Sequence, residues 1–271
     1  MKSDSESQKP IREASNESSG KKLVSVPVLG TRVAAISFAD AIRWLYATVE
    51  SGRRAHVACA NVYSVVMARD RPEYASCLTG ADLVIADGMP IVWALRMLGH
   101  PAERVHGDDL LLAFCRTFPA IRHFFMGGAS GQPEAVAASL RSMIPGICIV
   151  GTHPTPVRPL PEAARRQAVT KILDSGAQIV WVGMGTPAQD LWIGAAEEIS
   201  APMVGVGSAF DLLSGRTRAT PEWIKRTGTQ WLYRLVQEPR RLWRRYLTYN
   251  PRFVAMLARQ VVDERLLGRS R

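Results

Sequence analysis

An aspartate, Asp87, follows the apolar run "LVIA" and stands directly before Gly88. A carboxylate at the end of a buried segment, at the mouth of a pocket, can accept a proton as a general base. The same residue can instead cap the helix that the next segment, "MPIVWALRML", predicts. A capping residue is held rigidly, so the two roles are compatible and both interpretations stay open.

Two amide side chains follow other apolar runs in the same way. Asn61 comes after "AHVACA", and Gln189 comes after the glycine-rich segment "GMGTPA". An amide at such a place can orient a sugar hydroxyl, since it offers both a donor and an acceptor. The plainer interpretation of Asn61 is a helix N-cap, and Gln189 can equally lie on a helix surface.

The segment "ERVHGDDLL" brings an arginine, a histidine and two aspartates close together in the chain. Arg104 suits a diphosphate, because a guanidinium group binds phosphate through two parallel hydrogen bonds. We interpret His106 as a structural hydrogen-bonding residue and Asp108 as a helix N-cap. The chain has no D-x-D motif, so a metal-bridged nucleotide-sugar site of that kind is unsupported and no metal is expected.

A glycine pair, Gly127 and Gly128, lies in "MGGASGQPEAV", which predicts a strand, a turn and a helix. Backbone N–H groups at such a turn can bind a phosphate, so we place both glycines in a substrate site. The spacing is not the dinucleotide fingerprint G-x-G-x-x-G, and no acidic residue ends the next apolar run, "GICIVG". A nicotinamide-dependent oxidoreductase is therefore a weaker interpretation than another nucleotide-handling enzyme.

These residues share one kind of position, the end of a short apolar run that precedes a helical segment. Such runs alternate with helices from "AHVACA" to "APMVGVG", which is typical of an α/β fold. We predict a Rossmann-like, mostly parallel sheet flanked by helices. Parallel strands end at one edge of a sheet, where ligands bind, so the sequence predicts one active edge. A hairpin near Gly30 and a helix that begins at Ser37 are expected before the sheet.

The last part of the chain carries the whole net charge. That charge is +10, and residues 216–271 hold 14 Lys or Arg against four acidic residues. Pro239 fits the first turn of a helix. After it, a set of arginines and a set of apolar residues recur with the same helical spacing, and the apolar set is shifted by two positions. A shift of two positions is about 200° around a helix, so the two sets are predicted to lie on opposite sides. The cationic stripe is Arg240, Arg241, Arg244 and Arg245, and the apolar stripe is Leu242, Trp243, Tyr246 and Leu247.

A basic amphipathic helix suggests a polyanionic partner. The apolar side can pack on the sheet domain, which leaves Arg218, Arg234 and the cationic stripe to reach a diphosphate or lipid phosphates. Alternatively, the aromatic side enters a membrane interface with the arginines at headgroup level. A solvated basic tail explains the charge but not the tryptophans. No nucleic-acid-binding module accompanies the tail, so we expect an anionic membrane and no nucleic acid.

Composition divides the chain into three parts. Residues 1–22 are rich in Ser, Glu and Lys, and they predict a disordered tail without the apolar core of a signal peptide. Residues 23–215 are predicted to form the α/β core, and residues 216–271 a basic helical appendage. No apolar stretch is long enough to span a membrane, and the four scattered cysteines show no metal spacing. We therefore expect a cytoplasmic protein with reduced thiols.

Six segments occur in an order that resembles one enzyme family, the WecG/TagA/CpsF glycosyltransferases, also called glycosyltransferase family 26. They are "CAN", "ADLVIADGMPIVWALRMLG", "ERVHGDDLL", "GMGTPAQD", "GVGSAFDLLSG" and "WLYRLVQEPRRLWRRYL". The resemblance runs from about residue 24 to residue 250. Its most specific part is the pair of the second and third segments taken together with the last.

The resemblance implies that the chain transfers a hexose or N-acetylhexosamine from a UDP-sugar to a polyprenyl-diphosphate-linked saccharide, with inversion and without a metal or cofactor. Such reactions build bacterial surface polysaccharides, so it also implies peripheral attachment to the inner face of the plasma membrane. Carried over by motif, Asp87 is the base that deprotonates the acceptor hydroxyl. Cys59, Asn61 and Gln189 line the sugar pocket, and Arg104 faces the leaving diphosphate. The identity of the sugar and a possible homo-oligomer stay open.

The chain departs from the family pattern at three places. Cys59 stands where a threonine is usual, so a hydroxyl group is missing there. Gln230 replaces an acidic residue before the tryptophan, and Ala219 replaces an arginine, with Arg218 beside it as a substitute. These changes can alter the preference for a donor or the docking of the tail, and they leave Asp87 in place.

Overall fold

The structure is a computed structural model that describes residues 23–156, 160–218, 220–221, 224 and 230–268. Within the last range, the side chains of Arg241 and Leu267 are not described. The disordered tail expected at residues 1–22, the replacement at Ala219 and the role of the Arg241 side chain all lie outside the described residues. The expectations for them stay predictions.

Short strands alternate with helices along the chain, as the sequence predicts. The strands are β1 (Ser25–Val28), β2 (Thr31–Ala34), β3 (Ala55–Ala60), β4 (Leu83–Ala86), β5 (His123–Gly127), β6 (Ile149–His153), β7 (Ile179–Gly183) and β8 (Pro202–Gly205). β1 and β2 form an antiparallel hairpin. The others form a six-stranded parallel sheet in the order β4-β3-β8-β7-β5-β6. This confirms the predicted fold class and the hairpin near Gly30.

Helices flank the sheet and follow the strands. They are α1 (Phe38–Glu50), α2 (Val62–Asp70), α3 (Pro72–Thr79), α4 (Met89–Met97), α5 (Gly107–Thr117), α6 (Gln132–Met143), α7 (Glu162–Asp174), α8 (Ala188–Ala195), α9 (Ala209–Leu213), α10 (Gln230–Gln237) and α11 (Pro239–Gly268). Ser37 caps α1 by accepting a hydrogen bond from the backbone N–H of Asp40. The predicted start of this helix is therefore confirmed.

Both faces of the sheet are buried along its central strands, β3, β8, β7 and β5, because these strands are apolar on both faces. All residues of β3, "AHVACA", are buried. Val57 belongs to a cluster with Phe114 and Trp181, whereas its neighbour Ala58 belongs to a second cluster with residues of α2 and α4. A parallel strand that is buried on both faces requires helices on both sides, and the order of elements in the chain supplies them.

The basic tail forms two helices, and α11 is docked on the core. Pro239 begins α11 as predicted, and the helix continues through Pro251, which cannot donate its backbone hydrogen bond. Phe253, Leu257 and Val261 are buried in the cluster that contains residues of α2 and α4. Burial of three large apolar side chains stabilises the docked helix by roughly 5 kcal/mol or more, which exceeds the cost of about 3 kcal/mol for an internal proline. This helix is not a solvated tail.

Polar contacts along α11 also join it to the core. Arg252 forms a two-bonded ion pair with Asp70 at the end of α2, with N–O distances of 2.8 and 2.7 Å. Gln260 binds the turn of the β1–β2 hairpin, because its Oε1 accepts from Leu29 N at 2.9 Å and its Nε2 donates to Pro27 O at 2.6 Å. The first and the last described elements of the chain therefore contact each other.

The two stripes predicted for α11 do not separate as expected. Leu242 is buried and Tyr246 is half-buried, but Trp243 is 46% exposed and Leu247 is 68% exposed. Arg245, predicted on the opposite side, is half-buried next to the core. The packing of the later turns sets the rotation of the helix, so its inward face is centred on positions 242, 246, 249 and 253. That face includes half of the apolar stripe and one member of the cationic stripe.

Candidate active site

A cavity of about 210 Å³ lies at the carboxyl edge of the sheet, around the place where β3 and β8 adjoin. The ends of β3, β4, β7 and β8 contribute to one side of it, and α10 and α11 contribute to the other. Open α/β sheets bind ligands at such positions, because the loops that leave neighbouring strands diverge there. Predicted site residues from several strand ends thus come together in one cavity.

Asp87 lines this cavity directly after β4, with 18% of its side chain exposed. It does not cap the helix that follows: Gly88 is the N-cap of α4, and no side chain makes a capping bond there. Asp87 Oδ1 instead accepts a 3.0 Å hydrogen bond from the backbone N–H of Gly107, the first residue of α5. The carboxylate is thus held at the positive end of another helix.

Asn61 caps α2, as its plainer interpretation predicts. Its Oδ1 accepts from Ser64 N at 3.2 Å, and Ser64 Oγ accepts from Asn61 N at 2.8 Å. The same Oδ1 also accepts a 3.2 Å hydrogen bond from Arg245 of α11. The guanidinium group of Arg245 lies 3.8 Å from the ring centre of Tyr63. Asn61 therefore joins the start of α2 to the tail at the wall of the cavity.

Gln189 is 2% exposed and lines the cavity, so it is not the surface residue of the alternative interpretation. Its Oε1 accepts from Gly185 N at 3.0 Å and braces the turn after β7. The next residue, Asp190, is buried and accepts a 2.7 Å hydrogen bond from the hydroxyl of Tyr74. Burial raises the pKa of Asp190 to about 7, and the hydrogen bonds from Tyr74 and Gln189 offset this only in part. A carboxyl group that titrates near neutrality thus lies beneath the cavity.

Cys59 lies on β3 and lines the cavity, although it is only 8% exposed. Burial, and after it the nearby carboxylates of Asp87, Asp190 and Asp108, raises the pKa of its thiol well above the usual value. The thiol therefore stays protonated at neutral pH and is a poor nucleophile. A thiol is a weaker hydrogen-bond donor than the threonine hydroxyl that the resemblance leads us to expect at this place.

Arg104, Arg234 and Arg245 bring positive charge to the cavity from the core and the tail. The side chain of Arg104 is 15% exposed, and its Nη2 lies 3.6 Å from Asp109 Oδ2. Its Nη1 donates a 2.8 Å hydrogen bond to Gln230 Oε1, so Gln230 joins the core to α10. Guanidinium groups in such a wall are suited to a diphosphate.

Four aromatic residues complete the wall of the cavity, and of these the sequence analysis singled out only Tyr246, as part of the apolar stripe. Tyr63 and Tyr249 meet edge to face with ring centres 4.7 Å apart, and Trp231 and Tyr246 do so at 5.8 Å. All four rings line the cavity. Tyr63 could have been noted from its place two residues after Asn61, but no local signal places Tyr249 here.

Two predicted substrate-binding residues lie elsewhere. Gly127 is the last residue of β5 and Gly128 follows it, and β5 is separated from β8 by β7. A Cβ at Gly127 would lie 2.7 Å from the carbonyl carbon of Gly183, and the side chain of Gln132 covers Gly128. Gln132 Oε1 also accepts from Ala129 N at 3.0 Å. The turn is thus filled by an amide of the chain itself, and a phosphate at this turn stays a prediction.

Other predicted tail arginines lie outside the cavity. Arg240 and Arg244 are exposed, and Arg244 lies over the ring of Trp243 at 5.2 Å from its centre. Arg218 is exposed, and its backbone N–H donates to Gln237 at 3.2 Å beside a second, smaller pocket. The tail therefore divides its cations between the cavity and the outer surface.

His106 and Asp108 lie behind Asp87 at the start of α5. His106 is the N-cap residue, so Asp108 lies in the first turn and the N-cap prediction for Asp108 is wrong. His106 Nε2 is 3.9 Å from Asp87 Oδ1, and its Nδ1 is 3.5 Å from Asp108 Oδ2. Burial raises the pKa of Asp108, an effect that His106 and Arg234 partly offset. Within the described ranges, no group of three or more His, Cys, Asp and Glu is arranged to hold a metal.

Comparison with known proteins identifies one family for the whole of this architecture. The model of the Glycosyl transferase WecG/TagA/CpsF family matches residues 26–266, which include the cavity, α10 and most of α11. A Bacillus spizizenii (strain W23) protein, named N-acetylglucosaminyldiphosphoundecaprenol N-acetyl-beta-D-mannosaminyltransferase, is 29% identical over 211 residues. The alignment covers 76% of this chain and 79% of that protein.

Proposed function

Because the chain belongs to the WecG/TagA/CpsF family of glycosyltransferases, we propose that it transfers a sugar from UDP to a polyprenyl-diphosphate-linked N-acetylglucosamine. The observation that carries the proposal is a single cavity that combines Asp87 with arginines of both the core and the tail. A carboxylate can remove the proton of an acceptor hydroxyl. The arginines can bind the diphosphates of the two substrates. The Bacillus relative is named for an acceptor of this kind.

In the proposed reaction, Asp87 takes the proton from the acceptor hydroxyl, whose oxygen attacks the anomeric carbon of the donor. The bond between that carbon and the diphosphate oxygen breaks, and its electron pair leaves with UDP. A single displacement from the opposite face inverts the anomeric centre. Arg104, Arg234 and Arg245 oppose the charge that develops on the leaving diphosphate. Product formation therefore needs both the sheet edge and the tail.

We propose a UDP-linked hexose or N-acetylhexosamine as the donor, and N-acetylmannosamine is the first to test, because the name of the relative contains it. Cys59 and Asn61 lie on the cavity wall beside Asp87. Because a thiol is a weaker hydrogen-bond donor than a hydroxyl, UDP-sugars other than UDP-N-acetylmannosamine are the alternatives to test. The product would be a lipid-linked intermediate of a cell-surface polysaccharide.

The proposed acceptor is anchored in a membrane, and the outer surface of the tail suits a membrane interface. Trp231, Leu232, Val236, Trp243 and Leu247 are large, exposed apolar side chains of α10 and α11. Arg240 and Arg244 are exposed among them. Each arginine near an anionic leaflet contributes roughly 1 kcal/mol, and aromatic side chains favour the headgroup level. No helix within the described residues is long and apolar enough to cross a bilayer.

We test attachment with co-sedimentation on vesicles of phosphatidylglycerol and phosphatidylcholine. The double change Trp243→Ser and Leu247→Ser removes two exposed side chains without touching the buried face of α11. We expect at least a fivefold loss of bound protein, and weaker binding of the unchanged protein as salt rises. Leu173→Ser on α7 is the matched control, since Leu173 is also exposed but lies far along the chain from the tail. Equal binding by all three proteins would refute the attachment surface.

The reaction is tested by release of UDP from a panel of UDP-sugars, with a short-chain polyprenyl-diphosphate N-acetylglucosamine as acceptor. Asp87→Asn keeps an oxygen that can accept from Gly107 N but removes the base. We expect acceptor-dependent release with one donor, and a loss of at least a hundredfold in the variant. Asp174→Asn, an exposed carboxylate on α7, controls for a mere change of charge.

The outcomes separate the parts of the proposal. Release that survives Asp87→Asn would keep the transferase and refute the base. Release without acceptor would indicate a hydrolase and refute the transfer reaction. No release with any donor, together with no binding of UDP by calorimetry, would refute the donor class.

A further inference from the structure

An imidazole lies between two carboxylates at the inner end of the cavity. His106 is 6% exposed, with Asp87 Oδ1 3.9 Å from its Nε2 and Asp108 Oδ2 3.5 Å from its Nδ1. His106 is the N-cap residue of α5, but its side chain makes no capping hydrogen bond. A local structural role therefore does not explain why this side chain points between the two acids.

The charged and titratable groups around His106 come from several elements. Asp87 follows β4, Cys59 belongs to β3, Asp108 and Asp109 belong to α5, and Arg234 belongs to α10. Asp108 is itself buried, and its Oδ1 lies 3.5 Å from the hydroxyl of Ser208. Two acids thus face the imidazole directly, one at each ring nitrogen.

The proposed transfer leaves Asp87 with a proton deep in a cavity that the substrates fill. A carboxylic acid can give such a proton to a neighbouring imidazole, which is the stronger base of the two groups. The tautomer that this requires carries hydrogen on Nδ1, directed at Asp108, and a lone pair on Nε2, directed at Asp87. Asp108, the acid nearer to the ring, favours hydrogen on Nδ1 when it is a carboxylate.

We infer that His106 is the proton acceptor behind Asp87, and that Asp108 holds its imidazole in the required orientation. The inference rests on the proposed transferase reaction. The acceptor O–H bond breaks and its proton passes to Asp87, the new glycosidic C–O bond forms, and UDP leaves with the electron pair. The proton then moves from the Asp87 carboxyl oxygen to His106 Nε2, which restores the Asp87 carboxylate. The imidazolium later loses the proton to water after the products leave.

The distance of 3.9 Å between Asp87 and His106 is longer than a hydrogen bond, and a shift of roughly 1 Å by either side chain closes it. Catalytic contacts in ligand-free sites are commonly long and shorten when substrate binds. His106 touches neither sugar in this scheme, so it is a positioning and proton-accepting residue that acts through Asp87. Its substitution should lower turnover more than substrate binding.

The kinetic test uses His106→Gln, which keeps polar atoms at similar places but cannot carry a proton at neutral pH. We expect kcat to fall by ten- to a hundredfold, KM for the UDP-sugar to change less than threefold, and the acid limb of kcat/KM to move down by at least one pH unit. Asp108→Asn should give a smaller loss with the same signs. Thermal unfolding within a few degrees of the unchanged protein shows that each variant is folded. A kcat for His106→Gln within twofold of the unchanged protein across pH 5–9 would overturn the inference.

A second measurement does not depend on activity, so it separates this inference from the proposed function. The ring nitrogens of His106 are followed by ¹⁵N NMR in the unchanged protein and in Asp108→Asn. We expect hydrogen on Nδ1 of the neutral imidazole in the unchanged protein, and loss of that preference in the variant, because the facing carboxylate is gone. Hydrogen on Nε2 in the unchanged protein would overturn the relay even if UDP release behaves as proposed.

Discussion

Replacement of Asp190 by asparagine should stabilise the fold at neutral pH, although the residue is buried and hydrogen-bonded. Asp190 Oδ2 accepts from the Tyr74 hydroxyl at 2.7 Å, and an asparagine oxygen can accept the same bond. The other oxygen, Oδ1, is buried with no hydrogen bond of good geometry. A buried carboxylate with one incompletely satisfied oxygen is costly when ionised, whereas an amide carries no charge.

The magnitude follows from the pKa of Asp190, which burial raises from 3.8 to about 7. Below pH 3.8 the carboxyl is protonated in both the folded and the unfolded chain. Between pH 3.8 and 7 the unfolded chain loses the proton and the folded chain keeps it, so stability falls as pH rises. Above pH 7 the loss is complete, and a difference of about 3 pKa units corresponds to roughly 4 kcal/mol. Asp190→Asn removes this loss.

The assay is urea unfolding at pH values from 4 to 8, followed by tryptophan fluorescence and circular dichroism. The free energy of unfolding of Asp190→Asn minus that of the unchanged protein should rise by roughly 4 kcal/mol from pH 4 to pH 8. Buried histidines contribute equally to both proteins and cancel in the difference. Asp174→Asn, on the surface of α7, should show no such rise. A difference for Asp190→Asn that stays flat within about 1 kcal/mol would refute the reasoning.

Three further predictions concern the core and the tail. Gly183→Ala should lower the free energy of unfolding by about 2 kcal/mol or more, because a Cβ would overlap the ring of Phe210; unchanged urea unfolding would contradict this. Leu257→Ala should lower the free energy of unfolding by about 2–5 kcal/mol and speed hydrogen exchange in α11 more than in the sheet. Equal protection of α11 and the sheet would show that α11 does not unfold separately. His123 accepts from the indole N–H of Trp181, and burial lowers its pKa to about 4. The free energy of unfolding therefore falls by up to about 3 kcal/mol as pH falls from 6.5 to 4, because the unfolded chain takes up the proton first. His123→Gln should remove this fall in urea titrations at those two pH values.

The sheet and its active edge could be predicted because their signals are local. A short apolar run that ends in a glycine or a polar residue carries its own evidence of a strand end, as in "LVIA" before Asp87. The parallel order of strands then brings these ends to one edge. Asn61, Asp87 and Gln189 could therefore be placed together, although what each one binds could not.

The contribution of the tail could not be predicted, because it depends on the rotation of one helix. Arg244 and Arg245 are neighbours in the chain, yet one lies outside and the other donates to Asn61. They point about 100° apart, and the side chains that decide which one faces inward, Phe253 and Leu257, lie several turns later. The sequence contains both arginines but no local signal that distinguishes them.

Helix ends near the cavity were mistaken for a related reason. A carboxylate one or two residues from a helix start satisfies the same sequence rule whether or not it makes the capping bond. Asp108 has that place, yet His106 is the N-cap of α5. Asp87 accepts from Gly107 and leaves α4 to Gly88. The distance between elements decides which helix N-terminus a carboxylate binds. The order of residues in the chain does not give that distance.

The contact of Gln260 with the turn of the first hairpin has a consequence in time. Leu29 and Pro27 leave the ribosome early, and their partner follows 231 and 233 residues later. At synthesis rates of about 5–20 residues per second, that interval is roughly 10 to 50 seconds. Throughout it, the polar groups of the turn stay bound to water, and for most of it the arginines of α10 and α11 do not yet exist. A sheet that folds during this interval has its strand ends in place but only half of the cavity wall, so the cavity is complete only when synthesis is nearly finished.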